Sequence, residues 1–73
     1  MDYADRISNL RKSHQLTQKQ LALNTGISEI SVKSYEGRRR QPAYDALISL
    51  ADFFNVSLDY LVGRSDNPNI LRT

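Results

Sequence analysis

With 73 residues and 40% hydrophobic content, the chain has room for one small globular domain, and wholesale disorder is not expected. Cysteine is absent and histidine occurs once, at His14, which rules out disulfides and thiolate metal sites, so no cofactor is expected. The net charge of +2 is too small to name a partner by itself, and no apolar run approaches the length of a membrane span.

The opening residues Met1 to Arg6 are too acidic and polar for a secretory signal, and a soluble cytoplasmic protein with no membrane partner is the expectation. Apolar residues then recur at helical spacing, broken by short polar stretches. Tyr3, Ile7 and Leu10 mark one face of a first helix from about Asp2 to Ser13, with Asp2 as a candidate N-cap. Leu16 anchors the connection. Thr17-Gln18-Lys19-Gln20 has the form of a capping box, in which Thr17 accepts from the Gln20 amide and the Gln20 side chain reaches back. A short second helix therefore starts at Gln18 and stops at Gly26, a residue free to take positive φ. Ser28 is a natural N-cap for a third helix over about Glu29 to Gly37.

The basic loop Arg38-Arg39-Arg40-Gln41 and Pro42 end that helix. Together with Lys33, it gathers four of the ten Lys and Arg residues into eight positions, while most acids lie elsewhere. A concentrated basic patch suits a polyanion, although a solvated charge run would look the same. A fourth helix from about Tyr44 to Phe54 aligns Leu47, Leu50, Ala51 and Phe54. Ser57 re-caps the chain for a last short helix carrying Leu58, Leu61 and Val62, closed by Gly63. Residues 64–73 contain Asn-Pro and little apolar content, so a domain over 1–63 with a polar tail or linker over 64–73 is expected. No stretch alternates with period two. The expected fold class is all-α, a compact bundle of five helices.

Between Gln18 and Arg38 the spacing becomes specific. Ala22 is small enough for the third helix to approach the second, Gly26 makes the sharp turn, and Leu21, Ile27, Val32 and Tyr35 face inward. These are the requirements of a helix-turn-helix, and an ordinary helical hairpin is the competing reading. At about 100° per residue, Glu29, Ile30, Lys33, Ser34 and Gly37 share the opposite face of the third helix. That face is free to enter a major groove and read bases. Glu29 suits a cytosine amino group, Lys33 a guanine edge, and Ile30 a thymine methyl. Glu29 and Lys33 could equally be a surface pair four residues apart.

The run Leu16 to Ala22, then Gly26, Ser28, Val32, Tyr35-Glu36 and Pro42, with the closing Leu50 to Gly63, resembles the Cro/repressor-type (XRE-like) helix-turn-helix family. The resemblance covers about residues 3 to 63. It implies a lambda-repressor-like bundle of five helices that binds double-stranded DNA, usually as a homodimer on a pseudo-palindromic operator and usually as a transcriptional repressor. It places a phosphate contact at Gln18, and Ser28 is a second candidate. Arg39 and Arg40 are the expected electrostatic clamps, with Arg38 and Lys19 behind them and a hydroxyl contact from Tyr44. It also implies a structural ion pair between Arg11 and Glu36. Dimer contacts are expected near Leu58 and Tyr60.

Two positions depart from the family pattern. Glycine stands one residue early, at Gly37, so that Arg38 occupies the place of the usual glycine or asparagine and the turn is left open. Ala43 cannot cap the fourth helix. An enzyme is not expected, because His14 has no placed acid and no glycine-rich phosphate loop occurs. An antitoxin-type protein-interaction module on the same fold remains an alternative, as does a protein partner reached through a region beyond Thr73.

Overall fold

The computed structural model describes residues 1–69. Five helices follow one another, α1 (Tyr3–Ser13), α2 (Gln18–Thr25), α3 (Glu29–Glu36), α4 (Tyr44–Phe54) and α5 (Leu58–Leu61), with no strand among the described residues. No helix among them is long and apolar enough to cross a membrane.

Each start is set by a side chain that can satisfy an orphan amide, with one exception. Asp2 accepts from the Asp5 amide at 3.0 Å, Ser28 from the Ser31 amide at 3.1 Å and Ser57 from the Tyr60 amide at 3.0 Å. At α2 the capping box closes in both directions: Gln20 N donates to Thr17 Oγ1 at 3.0 Å and Thr17 N to Gln20 Oε1 at 2.9 Å. Ala43 makes no side-chain cap at α4, as its methyl group requires.

Ile7, Leu21, Val32, Leu50 and Leu61 are fully buried, one from each helix, and they define the centre of the bundle. Ala22, Tyr35, Ala51, Phe54 and Val56 complete the core, with Leu10, Leu16, Ile27, Leu47 and Leu58 packed against it. Helix α3 lies against both α1 and α2, while α4 packs on α2 and α5. Residues 64–69 hold no helix but fold back on α5. Ser57 N donates to Pro68 O at 3.0 Å, Arg64 N donates to Asp59 O at 2.8 Å, and Asp66 stands 3.6 Å from Arg6. The rest of the expected tail, 70–73, lies outside the described residues.

The turn between α2 and α3 depends on Gly26, which sits in the left-handed region at φ +75° and donates its amide to Ala22 O at 3.0 Å. A Cβ there would meet nothing within 4 Å, so a side chain would suffer only from its backbone angle. Gly26→Val should therefore destabilise the fold by about 1 kcal/mol or more, while Gly26→Asn, which tolerates this region, should be nearly neutral. At Ala22, 7% exposed between the two helices, leucine would overpack the contact at a cost of about 1–3 kcal/mol. Thermal melts that leave Gly26→Val and Ala22→Leu at wild-type stability would refute this account of the turn.

Candidate nucleic-acid interface

Helix α3 divides its residues between core and solvent. Val32 and Tyr35 point inward, 1% and 7% exposed, while Ile30 is 76% exposed on the other side. Glu29, Ile30, Lys33 and Ser34 fall on that outer face as the helical period requires. Lys33 Nζ lies 3.4 Å from Glu29 Oε2 with both side chains substantially exposed, so the surface pair exists in the free protein. Such a pair is worth a few tenths of a kcal/mol and yields readily to a better partner. The helix stops at Glu36, and Gly37 acts as its C-cap at φ −86°.

The orientation of α3 is held from behind by Arg11. Its Nε donates to Glu36 Oε2 at 2.8 Å and its Nη2 to Glu36 Oε1 at 3.0 Å, a bidentate pair whose side chains are 13% and 8% exposed. Arg11 Nη1 also donates to Leu16 O at 2.7 Å. Hydrogen bonding to Glu36 raises the Arg11 pKa further above its ordinary value, against the opposing effect of burial. Gln18 joins the same network, its Nε2 donating to Glu36 Oε1 at 3.2 Å. The side chain expected on a phosphate is thus turned toward Glu36.

The basic loop separates its three arginines. Arg39 makes no side-chain hydrogen bond or ion pair with the described residues. Arg40 Nη2 donates to Ser31 Oγ at 2.7 Å, and its guanidinium lies 5.6 Å from the Tyr35 ring, so it runs alongside α3. Ser31, which also accepts from the Ser28 hydroxyl at 2.9 Å, is a contact outside the expected site. Its place three residues after Ser28 was the available signal, because that position meets the cap. Tyr3 Oη donates to Arg40 O at 3.2 Å, tying α1 to the loop.

Arg38 departs from the expected phosphate clamp. Its Nε donates to Asp2 Oδ2 at 2.7 Å, and its Nη2 donates to Asp2 Oδ1 at 3.1 Å and to Asp5 Oδ1 at 2.7 Å. It also settles the turn left open by the early glycine. Arg38 itself takes the left-handed region at φ +61°, its amide donates to Tyr35 O at 3.2 Å, and the Arg39 amide donates to Ser34 O at 2.9 Å. That is the Schellman pattern, with arginine where glycine is usual. A non-glycine residue there gives up about 1–2 kcal/mol of backbone energy. The Arg38 guanidinium, helped by the Asp5 amide, holds the Asp2 carboxyl below the ordinary 3.8. Both carboxylates in turn raise the Arg38 pKa.

Of the other candidates, Ser28 serves as cap, Lys19 is exposed on α2, and Tyr44 is 74% exposed at the start of α4. Leu23 is also 75% exposed, an apolar side chain on α2 outside the expected site. Its position two residues from buried Leu21 could have marked it as outward. Tyr60 carries the Arg6 guanidinium 3.7 Å above its ring centre, which commits that ring to the bundle, while Leu58 remains half-buried. Arg6 is itself buried, and its Nε has no hydrogen-bond partner among the described residues.

A helix-turn-helix family profile matches residues 7–61. The chain belongs to the helix-turn-helix family. It is 42% identical over 67 residues to the HTH-type transcriptional regulator YobD of Bacillus subtilis, covering 92% of this chain and 60% of that protein. It is 39% identical over 64 residues to the cryptic phage CTXphi transcriptional repressor RstR of Vibrio cholerae, covering 88% of this chain and 57% of that protein. The chain thus spans less than two thirds of the length of these relatives. Among solved structures, the P22 c2 repressor in complex with a synthetic operator superposes with a TM-score of 0.82 at 25% identity, over 89% of this chain and 98% of that one. The resemblance read from the residues holds at the level of family and fold. What the chain shares with these proteins, which are named as transcriptional regulators, is their helix-turn-helix domain.

Proposed function

We propose that the protein is a cytoplasmic transcriptional repressor that binds double-stranded operator DNA as a symmetric homodimer. Helix α3 lies in the major groove, with Glu29, Ile30, Lys33 and Ser34 toward base edges. Arg39 and Arg40, with Lys19, Tyr44, Gln18, Ser28 and the backbone amides at the start of α2, meet the phosphates on either side. Leu58 contributes to the contact between protomers, and two half-sites then lie about 34–36 Å apart.

The single observation that carries this reading is the exposed Ile30 on α3. An apolar side chain 76% open to water, on the helix that Arg40 runs beside, gains little in the free protein. Against a thymine methyl it loses its water on both sides. Repression is supported by the names of the relatives: RstR is a transcriptional repressor, and the P22 c2 protein is a repressor solved with an operator.

Glu29 supplies the test of groove reading. A carboxylate only accepts hydrogen bonds, so in the major groove it favours the cytosine amino group. Glutamine has nearly the same shape but both donates and accepts, which matches adenine. Glu29→Gln should move one base-pair preference per half-site from C toward A, by about 1–3 kcal/mol of discrimination. Selection of bound sites from a random duplex library reads this directly. Identical preferences for wild type and variant would leave Glu29 as a partner of Lys33 alone and remove it from the reading face.

A further inference from the structure

Three arginines stand in a row after α3, yet only two of them lack a carboxylate partner among the described residues. Asp2 grips Arg38 fork to fork, through two hydrogen bonds of 2.7 and 3.1 Å, and Asp5 adds a third at 2.7 Å. The acids are held in place by the fold. Asp2 caps α1 by accepting from the Asp5 amide, Asp5 sits in the first turn, and Tyr3 between them is hydrogen-bonded to the loop at Arg40 O. Arg38 is held at its other end by the left-handed turn at φ +61°. All three side chains are about half exposed, 50% for Arg38, 45% for Asp2 and 53% for Asp5, so the cluster lies where a phosphate could compete for it.

We propose that Asp2 and Asp5 withhold Arg38 from the DNA backbone, which makes this acidic pair a limit on the sequence-independent affinity of the protein for duplex DNA. Phosphate contacts attract every sequence equally, whereas base contacts do not. A loop that offered three free arginines would tighten binding everywhere. With Arg38 neutralised beside it, the clamp keeps Arg39 and Arg40, and base reading by α3 supplies a larger share of the total binding energy. A phosphate that recruited Arg38 would have to displace two carboxylates already at hydrogen-bond distance and lie near their negative charge. The inference rests on the loop facing phosphate, as proposed above.

The test is the salt dependence of binding to a random duplex, measured with variants that keep the turn and the cap. Asp2→Asn retains an N-cap acceptor, and Arg38→Gly suits the left-handed position. Asp2→Asn with Asp5→Asn should steepen the slope of log K against log[salt] by about 0.9 per protomer, or roughly eightfold tighter binding at 0.1 M if affinities extrapolated to 1 M are unchanged. Arg38→Gly alone should leave the slope unchanged, and in its background the two Asn substitutions should no longer steepen it. A matched loss of charge at exposed Asp52 and Asp59 should not steepen it either. The proposal is overturned if Arg38→Gly by itself flattens the slope by about 0.9, since Arg38 would then already sit on a phosphate. It is equally overturned if the Asn pair steepens the slope without Arg38, or if the Asn pair leaves the slope at wild type. Removing Arg39 and Arg40 distinguishes the underlying reading: a slope unmoved by their loss shows that the loop does not face DNA and ends both proposals.

Discussion

Glu36→Ala is expected to destabilise the domain by about 3–5 kcal/mol, because it leaves the Arg11 guanidinium buried without its counter-charge. Both charges of the pair are nearly sealed from water, at 13% and 8% exposure, and both are bidentate. Arg11 would keep only its bond to Leu16 O, and Gln18 would lose its acceptor. Domains of this kind hold about 5–15 kcal/mol of total stability, so such a loss takes much of it. The double replacement Arg11→Met with Glu36→Leu should recover most of it, because two apolar groups leave no orphaned charge. Urea melts of the two single variants and the double variant read the coupling directly. Single variants that lose less than about 1 kcal/mol would show that water reaches the pair and that it contributes little to orienting α3. Salt should change its strength only slightly, in contrast to any contact made by the exposed loop.

Much of the fold is legible because its signals are local. The caps at Asp2, Thr17, Ser28 and Ser57 and the terminator at Gly26 each depend on residues within a few positions. The periodicity that buries Val32 and Tyr35 also exposes Ile30, so the outer face of α3 follows from the inner one. What escapes is the pairing of side chains far apart in the chain. Arg38 and Asp2 are separated by 36 positions, and either partner alone reads as a surface charge. Tyr60 looks like a free aromatic until α1 brings Arg6 over its ring. Gln18 at a helix start suits an outward contact by position, yet Glu36 reaches it through the packing of α3. Arg11 and Glu36 are paired in the sequence only by the family resemblance, since at 25 positions apart they carry no local signal.

The loop that remains free should dominate the response to salt. Arg39→Ala with Arg40→Ala removes two expected phosphate contacts per protomer. The slope of log K against log[salt] should become shallower by about 1.8 per protomer, which corresponds to roughly sixty-fold weaker binding at 0.1 M if affinities at 1 M are unchanged. The loss should be similar on operator and on random duplex, because phosphates carry no sequence information. Arg40 also bonds Ser31 Oγ at 2.7 Å and lies near the Tyr35 ring, so its removal touches α3 as well as the solvent face. Arg39 has neither tie, and Arg39→Ala alone separates the two effects: it should take about half of the slope change with no change in thermal stability. Binding titrations at a series of salt concentrations, paired with melts of each variant, measure both quantities. A loss confined to the operator would place these arginines on base edges instead, and the division between reading by α3 and clamping by the loop would have to be redrawn.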